Sequence, residues 1–145
     1  MFKSNFSKFS FYTALGLIFF GVNPSPLNAE TLLIGRNLAT DPLLVTGQSG
    51  GSMESEDCGF IGQEPHHVLR VTERVNYLRV TLKADQGEPT LLVDGPDGRF
   101  CVVADSLSSD HPEISGVWLP GDHKIYVGDS TQGGNQFTLE ISQTD

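Results

Sequence analysis

The chain has 145 residues, 9 Lys and Arg against 18 Asp and Glu, and a net charge of −9. A surface of that sign repels nucleic acid and anionic lipid, and it favours cations or basic partners. The length fits one domain of ordinary size and leaves no room for a second.

Residues 1–29 read as a signal peptide that is cleaved. Lys3 and Lys8 supply a basic start, residues 11–22 form an apolar centre, and Leu27-Asn28-Ala29 offers a small residue at the cut. The alternative is a buried N-terminal helix, although nothing downstream resembles a helix partner. The apolar centre is shorter than the roughly 20 residues that span a bilayer, and no cysteine near the cut could carry a lipid. The expected product is secreted or periplasmic, begins at Glu30 and makes no membrane insertion after cleavage. It has 116 residues, seven cations against 18 acids, and a charge of −11 once Lys3 and Lys8 are removed. A chain of that size buries roughly two-thirds of its unfolded surface.

Residues 30–57 form an N-terminal segment and flexible loop. Leu32-Leu33-Ile34 and Leu43-Leu44-Val45 fit one or two edge strands separated by Asp41-Pro42, since proline is tolerated at sheet edges and turns. Residues 47–57, GQSGGSMESED, lack periodicity and predict a mobile surface loop.

From residue 58 to residue 145 the pattern becomes regular and predicts a β-sandwich core, so that 30–145 is one domain. Strands are expected near 58–61, 66–72, 77–83, 90–94, 99–104, 114–119, 124–128 and 136–142. Leu78, Val80 and Leu82 alternate with Tyr77, Arg79, Thr81 and Lys83; Phe137, Leu139 and Ile141 alternate with Thr138, Glu140 and Ser142. Such alternation marks half-buried strands. Leu91-Leu92-Val93, the turn Asp94-Gly95-Pro96-Asp97-Gly98 and Arg99-Phe100-Cys101-Val102-Val103 predict a hairpin around which the rest is organised. No window has a helical period. About eight short strands with frequent turns imply an all-β fold, an antiparallel β-sandwich or jelly roll.

Cys58 and Cys101 are the two cysteines, and an even count in an exported chain suggests that they pair. Two free thiols, or half of a metal site, are the alternatives.

The segments 91–98 (LLVDGPDG), 121–127 (GDHKIYV) and 137–141 (FTLEI) together resemble the bacterial pre-peptidase C-terminal domain. That family runs an apolar strand into a proline-aspartate-glycine turn, then a glycine with a short aromatic strand, then an aromatic-Thr-Leu strand. The resemblance implies a small jelly-roll-like β-sandwich of secreted proteins, commonly appended to peptidases, with collagen-binding relatives that bind calcium. Here no peptidase is attached, and the cysteine pair is not general to the family.

Three constellations bear on chemistry. Gly47-Gln48-Ser49-Gly50-Gly51 fits the nucleophile pattern of a small secreted serine hydrolase, but no helical pattern follows Ser49. His66 and His67 are neighbours whose side chains point to opposite faces of a strand, so they cannot share one ion; His111 and His123 flank acidic loops. Asp94, Asp97, Asp105 and Asp110 cluster around the hairpin, with Glu113 nearby. Calcium takes about six to eight oxygens, which glycine- and proline-rich turns present readily. The alternative is that Asp94 and Asp97 cap their turn.

The sequence therefore predicts an exported binding or accessory module without catalytic residues, possible calcium as its one cofactor, and a protein or polysaccharide ligand outside the cytoplasm. The competing functions are a hydrolase using Ser49 and a structural component of an envelope or extracellular assembly.

Overall fold

A computed structural model describes residues 28–105 and 110–145. The expected leader lies outside the described residues, except for Asn28 and Ala29. Among the described residues no helix is long and apolar enough to cross a membrane.

The chain forms eleven strands: β1 (Glu30–Ile34), β2 (Leu43–Gln48), β3 (Met53–Ser55), β4 (Gly59–Ile61), β5 (His67–Val71), β6 (Val75–Ala84), β7 (Pro89–Gly95), β8 (Gly98–Val103), β9 (Glu113–Trp118), β10 (Gly121–Asp129) and β11 (Gln136–Ser142). All eight expected strands are present, and β1 and β2 occupy sheet edges as proline punctuation implies. The count exceeds eight because β1 and β2 are full members of the sheets and β3 lies inside the stretch read as a loop.

Two sheets pack face to face. One holds seven strands, with β10 paired to β5, β7 and β4; β5 then pairs β1, β4 pairs β3 and β7 pairs β8. The other has the order β2-β11-β6-β9. All pairings are antiparallel except one: β1 runs parallel to β5, with Glu30 opposite His67 and Ile34 opposite Val71. The expected antiparallel β-sandwich is thus present, with this one parallel pair at its edge.

The core follows from period two. Leu78, Val80 and Leu82 of β6 and Phe137, Leu139 and Ile141 of β11 point inward and meet Leu69, Leu91, Val93, Ile125 and Val127 of the wide sheet. β7 is buried on both faces, which explains its unbroken Leu91-Leu92-Val93 run. Leu91 and Val93 enter the main core, whereas Leu92 turns outward into a second cluster with Cys58 and Ile61, packed by Cys101 and Tyr126. The Cys58–Cys101 disulfide, with Cα atoms 5.8 Å apart, lies in that cluster.

Residues 47–57 are not a mobile loop. Ser49 N–H donates to the Asn135 carbonyl at 2.9 Å, Gly50 N–H donates to the Val127 carbonyl at 2.9 Å, and both residues are buried. Gly50 has φ +84°, and a Cβ there would lie 1.9 Å from the Gly133 carbonyl oxygen, so glycine is required by both conformation and space. The partners of Ser49 and Gly50 are over 70 residues away in the chain, beyond the reach of any local periodicity.

The outer surface is laced by ion pairs across strands and loops: Arg36 with Glu73, Arg70 with Asp122, Lys83 with Glu140 and Arg99 with Asp57. Four of the seven cations of residues 30–145 are thereby committed to carboxylates.

Candidate binding cleft at the open seam

The two sheets differ in width. Among the described residues the wide sheet continues past β7 to β8, while the narrow sheet stops at β9, so little of the described chain lies beneath the inward face of β8. The result is a cleft of about 160 Å³ between the β7–β8 hairpin and β9, lined by Val93, Phe100, Ile114, Val117, Trp118 and His123 and edged by Asp97 and Ser115.

The floor is buried. Trp118 is 4% exposed and its indole N–H donates to the Leu78 carbonyl at 3.0 Å, which meets the hydrogen-bonding need of a buried tryptophan. His123, 2% exposed, packs its ring 4.8 Å from that of Trp118 and hydrogen-bonds through Nε2 to the Leu119 carbonyl at 2.9 Å. That carbonyl accepts, so Nε2 carries the proton. Gly95 makes room for the imidazole, since a Cβ there would lie 2.4 Å from Nδ1.

The rim is apolar and exposed. Phe100 is 48% exposed and Val117 49%. Single exposed apolar residues are ordinary, but a group of them over a concave apolar floor is the usual signature of a recognition surface. One end of the cleft is tied shut where the Leu119 N–H donates to Asp97 Oδ2 at 3.2 Å, joining the hairpin tip to the end of β9.

The four aspartates read as a calcium set are distributed along β8. Asp94 stands opposite Arg99 and Lys124 in the register, and Asp97 holds the Leu119 N–H. Asp105 and Asp110 are exposed beyond the other end of β8. Six residues of strand set the two pairs about 20 Å apart. Among the described residues no group of three or more His, Cys, Asp or Glu side chains is placed to hold a metal ion.

Ser49 is 5% exposed, and its Oγ accepts the Asn135 N–H at 3.0 Å. It stitches β2 to the β10–β11 loop, with no helix after it. His66 and His67 separate as strand geometry requires. His66 spans Gln48 and Val127, donating from Nε2 to the Gln48 carbonyl at 2.7 Å and accepting the Val127 N–H on Nδ1 at 3.1 Å. His67 is buried, with Nδ1 lacking a hydrogen-bond partner among the described residues and lying 3.9 Å from Glu30 Oε2. Burial lowers the pKa of both histidines; the Gln48 carbonyl opposes this for His66 and Glu30 opposes it for His67.

Sequence reading missed Phe100, Val117, Trp118 and His123 as one site. Trp118 is the one tryptophan of the chain and could have drawn notice, but the cleft arises from a difference in sheet width that no single stretch encodes.

The fold is that of the pre-peptidase C-terminal domain. The crystal structure of that domain from a collagenase of Bacillus anthracis covers 83% of this chain and 100% of its own, with a TM-score of 0.50 and 14% identity. No family model matches the chain. An uncharacterized protein of Synechococcus elongatus is 39% identical over 104 residues, covering 69% of this chain and 75% of that protein, and the chain belongs to the same family.

Proposed function

We propose that the protein is an exported, non-catalytic module that holds a protein or polysaccharide ligand in the cleft between the β7–β8 hairpin and β9. The observation that carries this reading is the exposed apolar rim of Phe100 and Val117 over a buried floor whose Trp118 indole N–H and His123 Nε2 are both bonded to backbone carbonyls. A concave, mostly apolar lining with few polar groups suits the holding of a ligand. Export is supported by the leader pattern and by a disulfide, which persists in oxidising compartments. The accessory role is supported by a Ser49 hydroxyl held in a backbone contact.

The test has two arms. Intact mass of the exported protein should lack residues 1–29, and a full-length product would sink the export reading. Protein immobilised from that fraction should retain its ligand from the same extracytoplasmic extract, and a Phe100→Ala, Val117→Ala double variant should lose it. Equal retention would remove the cleft from the function.

A further inference from the structure

We infer that the cleft takes an extended, cationic polypeptide segment that adds as a strand to the open edge of β9. The inference rests on the cleft reading above and names the class of its ligand.

Three observations converge. The first is the shape of the space. Neighbouring strands lie about 4.8 Å apart and packed sheets about 10 Å apart. A strand added outside β9 would therefore lie opposite β8 and cover Phe100, whose exposure arises because the narrow sheet ends one strand too soon.

The second is the direction of the backbone groups. In an antiparallel ladder alternate residues turn their N–H and C=O to one neighbour, and the intervening residues turn theirs to the other. The Pro112 carbonyl accepts from Leu82 N–H at 2.8 Å, so the phase places Pro112, Ile114 and Gly116 toward β6. Glu113, Ser115 and Val117 consequently direct their N–H and C=O groups outward, along the side where the cleft opens. Such an edge is a template for another chain.

The third is charge. Asp97 and Glu113 are exposed at the two ends of the seam, and Arg99, the cation of the hairpin, is held by Asp57. With −11 on residues 30–145, a second copy is repelled from this edge, whereas lysine or arginine opposite Glu113, with apolar residues in the intervening positions that turn toward Phe100, are cross-strand complements.

The probe is a fluorescent peptide of about ten residues alternating lysine and valine, with a glutamate-valine counterpart, added to the exported protein with its disulfide intact. The lysine peptide should bind and the glutamate peptide should not, and added salt should weaken binding. Ser115→Pro removes one outward N–H, which an edge strand tolerates without touching the ladder to β6. It should weaken binding about tenfold or more, as should Phe100→Ala. Should Ser115→Pro not fold, a peptide N-methylated on alternate residues must bind the wild-type protein about tenfold more weakly than its parent. Equal binding of the two peptides, unchanged binding after Ser115→Pro or N-methylation, or no binding at millimolar peptide would each overturn the inference. A dimer that Ser115→Pro dissolves would overturn it in favour of a second copy. If Phe100→Ala abolishes retention of the natural ligand while the peptides fail to bind, strand addition falls and the cleft reading stands; if it changes neither, both fall.

Discussion

Arg99 donates Nε to Asp57 Oδ2 at 3.1 Å and Nη2 to Asp57 Oδ1 at 2.8 Å, one residue before Cys58 and two residues before Cys101. Arg99 and Cys101 share a face of β8, so a two-point ion pair and a disulfide clamp the same turn against the outside of the wide sheet. The hydrogen bond from Arg99 holds the Asp57 carboxyl below the ordinary aspartate range, and the reciprocal contact raises Arg99.

The clamp's two parts should differ in weight. The disulfide closes a loop with a sequence separation of 43 and lies in the Leu92–Ile61 cluster, so Cys58→Ser with Cys101→Ser should cost roughly 2–4 kcal/mol in denaturant unfolding. Both partners of the ion pair are close to half exposed, so Arg99→Ala should cost under about 1 kcal/mol. Equal losses from the two would place the clamp's strength in the charges.

Stability should fall as pH drops from about 7 toward 5. His66 and His67 have folded pKa values below the unfolded value of 6.5. Their contribution is therefore complete above 6.5 and is lost as pH falls toward the folded values, with a slope of about 1.4 kcal/mol per pH unit for each group. The geometry agrees for His66, because a proton on Nδ1 would face the Val127 N–H that it now accepts. His66→Gln should flatten the pH profile of the thermal midpoint; an unaltered slope would transfer the effect to other groups.

Ser49→Ala should destabilise the fold by about 1–3 kcal/mol, because the Asn135 N–H loses a buried acceptor. Esterase and peptidase assays should give the same background for both proteins. Turnover by wild type that the substitution abolishes would restore the hydrolase reading.

Calcium added after chelation should leave the thermal midpoint unchanged, since β8 divides Asp94 and Asp97 from Asp105 and Asp110. A site with millimolar affinity saturated tenfold would add about 1.4 kcal/mol and raise the midpoint by several degrees. Such a rise, abolished by Asp105→Asn, would establish a calcium site at that end of the strand.

Much of the architecture was legible in local pattern. Alternation at Leu78-Val80-Leu82 and Phe137-Leu139-Ile141 located β6 and β11, and the Asp94–Gly98 turn located the β7–β8 hairpin. What the sequence withheld depends on distant partners. The parallel register of β1 on β5 and the burial of Ser49 against Asn135 are set by segments 37 and 86 residues away. The cleft was hidden for a related reason: Phe100 and Val117 read as ordinary strand residues, and their exposure follows from where each sheet stops.

The commitment of four cations to ion pairs has a kinetic consequence. With Arg36, Arg70, Lys83 and Arg99 paired close to the surface, the field felt farther away is that of the net charge of −11 on residues 30–145. A cationic segment bound as proposed would be drawn in along its approach, whereas the ladder hydrogen bonds and apolar contacts that would hold it act only at short range. Ionic strength should accordingly govern how fast a ligand arrives and leave its residence time nearly constant. In dilute surroundings the module would capture rapidly, and in brine slowly, while releasing at the same pace in both.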